Sequence, residues 1–319
     1  MHTRQIIVIL LLTITSVRAQ LRPTGSFRIL PGVIPVPAPF ATAQKFQVDL
    51  PDVPHTPGGG TGILYLASPT DPTKGWVIHF AGHNGSGRFA AGAAAQRDAY
   101  YRSLLAQGYG IAEADWLGGG WIFTAPHRLD GMATLAGRPA TLIMMGPFGG
   151  LPLQAVGVSG GACQLGYALA FYAGVADRLK AAFPMSSMPF DEQTRGCTGD
   201  YDYSERGFIA TAEGNASTKS VDPCVLGDAT WSAFWDANSV TGGALYNYPT
   251  CRVVMIEGLR DSPDILSRAA HYQGVLVSAG QPVERYNYNG GHVPNAEAFG
   301  ILLQRVTEIP SSTTKRKVN

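Results

Sequence analysis

Leu153-Gln154-Ala155-Val156-Gly157-Val158-Ser159-Gly160-Gly161-Ala162 reads as a mostly apolar strand, a turn of one residue and the start of a helix, with a serine at the apex of a G-x-S-x-G. The small residues that follow, through position 173, suit a helix packed tightly on a sheet. A strand that turns into a helix within one residue strains the backbone at the serine, and side chains beside it would collide, so glycines flank it. The hydroxyl is thereby pushed out to where a substrate can reach it. Three fixed positions are a weak signal in a chain with 39 glycines, so the reading depends on what surrounds the serine.

Outward from this turn, apolar segments alternate with helical ones. Residues 62–67 and 76–80 read as strands, with Asp71-Pro72-Thr73-Lys74-Gly75 as the turn between two early antiparallel strands. Residues 88–105 read as a helix closed by Gly108, 109–114 as a strand, 129–135 as a short helix, and 142–145 as an apolar segment or part of a second helix. After the serine helix come a strand at 181–185, a strand at 252–256, a helix at 263–278 capped by Ser262, a strand at 283–288 and a closing helix at 295–306. Strands alternating with helices imply a mostly parallel central sheet with helices on both faces, an α/β class. The alternation stops between 189 and 250, where acidic, aromatic and turn-forming residues dominate, and this stretch reads as an inserted cap. Residues 21–57 are proline-rich and read as an extended lead-in, with strands starting only after it.

The 319 residues are 45% hydrophobic and 15% charged, which argues against disorder and for one large domain with an insertion. A net charge of +1 provides no global attraction for nucleic acid or anionic membrane. Residues 1–19 read as a secretory signal, with Arg4 before an apolar run and Val17-Arg18-Ala19 as the cleavage site; the run is too short to span a membrane. In an exported chain, Cys163, Cys197, Cys224 and Cys251 suggest disulfides in any of three pairings, and the absence of C-x-x-C leaves no zinc motif. Asn84-Gly85-Ser86 and Asn215-Ala216-Ser217 match the glycosylation pattern, and a glycan at Asn84 would block the site described next.

A serine hydroxyl needs a base within hydrogen-bond reach and an acid that holds the base in one tautomer. Of seven histidines, His292 follows the last strand in a glycine loop, Asn289-Gly290-Gly291-His292, suited to presenting an imidazole at the sheet's edge. The acid is expected at the end of the preceding strand, where Glu257, Asp261 and Asp264 are the choices. Asp261 is preferred because it lies in the loop past Gly258, whereas Asp264 suits a helix's first turn and Glu257 a strand-end ion pair. Donors for a developing oxyanion are expected from the Gly160 amide and from the loop Ala81-Gly82-His83-Asn84-Gly85-Ser86-Gly87, with the His83 amide preferred over that of Asn84. Trp116 and Trp121, in a glycine-rich loop at a strand's carboxyl end, are candidates for lining the substrate pocket.

Serine elbow, Asp261 and His292 in that order, behind a glycine-rich loop that follows an early strand, resemble the α/β-hydrolase superfamily over residues 62–306. One departure is that the His-Gly pair common at that family's oxyanion loop is here Ala81-Gly82. The resemblance implies Ser159 as nucleophile, His292 as base, Asp261 as acid and a covalent acyl-enzyme, with no metal or organic cofactor. The expected activity is secreted hydrolysis of small or polymeric carboxylic esters. A peptidase, thioesterase or acyltransferase on the same fold is the alternative within enzymes, and an inactive binding protein the alternative outside them.

Overall fold

The computed structural model describes residues 24–309 except 52, 54–58, 70–73, 126–127, 187–189, 215–221 and 244. The signal reading, the sequon at Asn215 and the C-terminal tail therefore lie outside the described residues. Strands β1 (Ser26–Leu30), β2 (Thr42–Asp49), β3 (Thr61–Ala67), β4 (Gly75–Phe80), β5 (Tyr109–Trp116), β6 (Leu153–Val158), β7 (Leu179–Met185), β8 (Arg252–Gly258) and β9 (Val283–Tyr288) form one sheet. Its order is β1-β2-β3-β5-β4-β6-β7-β8-β9. From β5 to β9 the pairing is parallel, and β1, β2 and β3 add an antiparallel edge.

Two expectations change here. The lead-in contains β1 and β2, whose proline-rich flanks mask short runs of strand-forming residues such as Phe27, Ile29, Phe46 and Val48. β3 and β4 are not a hairpin, because β5 lies between them, antiparallel to β3 and parallel to β4.

β6 has every residue buried, as expected of a central parallel strand covered on both faces. Helices α1 (Ala94–Ala106) and α11 (Ala296–Thr307) cover one face, where Tyr100, Tyr101, Leu104, Phe299 and Leu302 pack on Val77, Val156 and Phe183. The other face carries α2 (Gly131–Leu135), α3 (Gly137–Met145), α4 (Gly160–Phe171) and α5 (Val175–Arg178). Its core includes Met132, Leu142, Leu165 and Leu169 against Ile78, Ala155 and Met255. Between β7 and β8 the chain forms short helices α6 (Gln193–Arg195), α7 (Tyr203–Ala212), α8 (Pro223–Leu226) and α9 (Ser232–Asn238), and α10 (Pro263–Ser278) joins β8 to β9.

Cys197 and Cys224 form a disulfide within the β7–β8 segment, while Cys163 and Cys251 are buried free thiols. The broader disulfide expectation is thereby corrected: Cys163 is enclosed in α4 against the sheet, and burial pushes the Cys251 thiol up to about 12. Arg268 of α10 ties the segment down through Glu205 of α7, at 2.7 and 3.2 Å, and through the Tyr201 ring, over which it lies at 4.2 Å; its other partner, Asp264, is on α10 itself.

Glu213, just past α7, accepts from Trp235 Nε1 of α9 at 2.9 Å, and it also interacts with Asp222, the N-cap of α8. Two buried carboxylates can share a hydrogen bond only if one is protonated, and burial followed by the Asp222 charge pushes Glu213 up to about 8. An unfolded glutamate titrates near its model value of 4.5, so the folded form holds a proton that the unfolded form has released between that pH and about 8. Stability from this group is full at low pH and is lost as pH rises through about 8. Glu213→Gln should flatten the profile, matching wild type in thermal unfolding at pH 5 and exceeding it by roughly 2–4 °C at pH 8.5. Parallel profiles for the two proteins would contradict the shared proton.

Candidate active site

The strands β4, β6, β8 and β9 all point their carboxyl ends the same way, and their register aligns those ends: Phe80 faces Gly157, and Gly258 faces Tyr288. The loops that follow converge at one rim, which is where ligands bind in open parallel sheets. Ser159 follows β6 directly, with φ 53° and ψ −118°, a conformation that non-glycine residues rarely adopt. Its amide donates to Met185 O at 2.9 Å, which holds the strained residue to the adjacent strand. The neighbouring glycines are needed for space. A Cβ on Gly157 would lie 2.1 Å from Gly161 O, and one on Gly161 would lie 2.2 Å from Phe80 O.

His292 Nε2 lies 2.9 Å from Ser159 Oγ, and His292 Nδ1 lies 2.9 Å from Asp261 Oδ2. The Asp261 side chain is 4% exposed and that of His292 41%, so the carboxylate is enclosed behind an imidazole open to the rim. Asp261 Oδ1 accepts from the Ser262 amide at 2.8 Å, which orients the other oxygen toward His292. A carboxylate can only accept, so Nδ1 carries the proton and Nε2 is left with a lone pair for the serine hydroxyl. The two loops are laced together by Arg260 N donating to Gly290 O at 2.7 Å and Leu259 N donating to Tyr288 O at 3.0 Å. The Tyr288 hydroxyl bonds the carbonyl of Gly291, next to His292, at 2.6 Å.

The other two acids lie elsewhere. Asp264 pairs with Arg268 in the first turn of α10, and Glu257 is buried within β8, which continues two residues beyond the expected end of the strand. The loop after β4 packs on the serine turn as expected: a Cβ on Gly160 would stand 1.9 Å from His83 O. No backbone hydrogen bond among the described residues occupies the Gly160 or His83 amide. His83 has φ 50°, and its ring meets Phe208 of α7 edge-on at 6.0 Å. The Asn84 side chain is committed to the loop, donating to Gly119 O at 2.9 Å and accepting from Ser86 Oγ at 2.6 Å.

Trp116 and Trp121 do not line the cavity at Ser159; both are fully buried beneath the loop. Trp116 Nε1 donates to Gln164 Oε1 of α4 at 2.8 Å, and Gln164 Nε2 donates to Ala81 O at 3.1 Å. The two indoles crowd Gly85, where a Cβ would meet Trp116 Cδ1 at 2.7 Å and Trp121 Cδ1 at 3.0 Å. They support the loop from the core side. Trp116 is the last residue of β5, and its side chain faces inward against Phe46 at 5.1 Å.

The cavity itself, about 340 Å³, is walled by small and apolar residues including Gly82, Ala90, Gly92, Val158 and Val293, with Ser159, His292 and Arg88 as its chemically active groups. Arg88 and Ala90 to Gly92 come from a stretch read in sequence as the start of a helix. The α-helix begins only at Ala94: Glu113 of β5 holds Arg88 and the Phe89 amide, Phe89 and Ala90 make a turn with Ala90 at φ 45°, and one 3₁₀ turn at Ala91–Ala93 precedes the helix.

Neither a protein-family model nor a curated protein sequence matches the chain. Solved structures do match. The acylaminoacyl peptidase of Pyrococcus horikoshii superposes with a TM-score of 0.53 at 11% identity, over 91% of this chain and 42% of its own. A puromycin-hydrolyzing peptidase of Mycobacterium tuberculosis gives 0.52 at 14% identity, over 76% of this chain and 36% of its own. The chain has the α/β-hydrolase fold. It spans well under half the length of those two peptidases. An arylesterase matches at a TM-score of 0.50 and 15% identity, over 85% of this chain and 84% of its own. At these identities the likeness is one of the α/β-hydrolase fold.

Proposed function

We propose that the protein is a secreted serine hydrolase that cleaves carboxylic esters through an acyl-enzyme on Ser159. The observation that carries the reading is the pair of 2.9 Å hydrogen bonds joining Asp261, His292 and Ser159 in series. Ser159 Oγ attacks the ester carbonyl as its proton passes to His292 Nε2, and the imidazolium that forms is stabilised by the Asp261 carboxylate. The tetrahedral oxyanion is held by the Gly160 and His83 amides, each donor lowering the barrier by roughly 2.7–4 kcal/mol. His292 returns the proton to the departing alkoxide, leaving the acyl group on Ser159. Water then attacks the acyl-enzyme, giving its proton to His292 Nε2, and the acid departs as Ser159 regains that proton.

Secretion is supported by the signal-like residues 1–19 and by the Cys197–Cys224 disulfide. No described helix is long and apolar enough to cross a membrane. The segment between β7 and β8 is proposed as a cap beside the rim, on the strength of the Phe208 contact with His83. None of its described aromatics, Phe208 included, lines the cavity: Tyr201, Trp235 and Tyr248 are buried in the core.

Esters are favoured over peptides because cleaving an amide adds a demand for protonation of the leaving amine that an ester does not make. Presented with an aryl ester and the anilide of the same acyl group, the enzyme should hydrolyse the ester at least about 100-fold faster in kcat/KM, since a leaving amine demands protonation that an aryl oxide does not. Comparable turnover of the anilide would replace the ester reading with the peptidase one.

A further inference from the structure

Arg88 is the one permanent cation among the described residues lining the cavity that holds Ser159 and His292. Its position is over-determined. Nε donates to Glu113 Oε1, and the guanidinium carbon lies 5.0 Å over the Phe40 ring and 5.4 Å over that of Tyr65. Glu113 is fully buried, with its second oxygen accepting from the Tyr101 hydroxyl at 2.7 Å. On either side of Arg88 the main chain is pinned to the same strand, Gly87 N donating to Asp115 Oδ1 at 2.6 Å and Phe89 N to Glu113 Oε1 at 3.2 Å.

All this fixes the guanidinium through its Nε edge. The Nη groups are left with no acceptor among the described residues, and Nη2 is buried in that state. Unpaired donors in a confined site are costly, whereas a donor fork already held in place loses little entropy when a ligand supplies the acceptor. Glu113 balances the charge of Arg88 and Asp115 adds a further carboxylate nearby, so the requirement is for an oxygen acceptor, not for net negative charge.

We infer that Arg88 is a specificity-determining residue whose guanidinium binds a second oxygen acceptor, a carbonyl or carboxylate, on the ester whose scissile carbonyl lies at Ser159. The inference rests on the ester-hydrolase reading and sharpens its substrate class from esters in general to oxygenated ones. Apart from His83 and Ser86, the remaining walls are glycine, alanine, valine and proline, which offer the rest of such a molecule only contact.

Three aryl esters of similar length test this: the 4-methylpentanoate, which has no distal oxygen, the hemisuccinate, which ends in a carboxylate, and the methyl succinate, which ends in a neutral carbonyl. Wild-type kcat/KM should favour at least one oxygenated ester over the hydrocarbon by roughly ten- to a hundred-fold, the worth of a hydrogen bond to a charged donor. The preferred member then distinguishes carboxylate from carbonyl. Arg88→Met combined with Glu113→Gln removes the fork without stranding a buried carboxylate, and should bring the oxygenated-to-hydrocarbon ratio near one. Arg88→Lys keeps an ion pair but lacks the fork, and should cut the ratio at least about three-fold even if the double variant does not fold. A wild-type ratio of one or below, or a ratio unchanged in either variant, would overturn the inference while leaving ester hydrolysis standing. Failure of the wild type to hydrolyse any of the three esters would instead overturn the reading on which it rests.

Discussion

Ser159→Ala should abolish ester hydrolysis, lowering kcat by roughly 10⁵–10⁶-fold, while the protein remains folded. The rate falls this far because acylation needs an atom to carry the acyl group, and alanine has none; what remains is the catalysis of water attack by the oxyanion donors alone. The fold is expected to survive because the Ser159 side chain contributes only its bond to His292, while the main-chain bond from Ser159 N to Met185 O is kept. Alanine is also small enough for the strained backbone at φ 53°. Kinetics with an aryl ester, paired with thermal unfolding, measure both halves of this expectation. A variant that is folded and retains more than a few per cent of activity would place the nucleophile elsewhere.

Asp261→Asn should cost about 10⁴-fold in kcat, through the tautomer of His292 and not through a change of shape. The Ser262 amide, 2.8 Å from Oδ1, requires an acceptor there, so the carbonyl of the new amide takes that position and its NH₂ turns toward His292 Nδ1. Nδ1 must then accept, the ring proton moves to Nε2, and Nε2 can no longer take the proton from Ser159. Because asparagine is nearly isosteric, KM and the unfolding temperature should change little. Asp264→Asn is the matched control: its partner is Arg268, remote from the chemistry, and kcat should stay within about two-fold of wild type. Equal losses in the two variants, or a loss confined to Asp264→Asn, would contradict the assignment of the acid.

What the sequence discloses is unequal across the site. The serine turn is legible because local covalent geometry demands it: Gly157, Gly160 and Gly161 each have a neighbour's backbone in the space where a Cβ would be. Asp261 is legible because it follows the plainly apolar β8, and His292 because it closes a glycine loop after β9, which is marked by Val283, Tyr286 and Tyr288 and not by an apolar run. Arg88 is not, because Ala90 to Ala94 has helical composition and the contact that holds Arg88 in the loop before the helix comes from Glu113, 25 positions away in sequence. The tryptophans went astray for a similar reason: a loop at a strand's carboxyl end says where the main chain is, while packing against Phe46 and Gly85 decides which way an indole points. β1 and β2 were hidden by their prolines and by pairing that is wholly non-local, Ser26 to Asp49 and Thr42 to Leu66.

The most direct test of the account is the intact mass of the protein after incubation with a fluorophosphonate, followed by peptide mapping. One phosphonyl adduct per chain is expected, located on Ser159, formed in step with loss of esterase activity and absent from the Ser159→Ala and His292→Ala variants. A folded wild-type protein that takes up no adduct, or takes it up on another residue, would contradict the claim that Asp261, His292 and Ser159 act together as a nucleophilic relay.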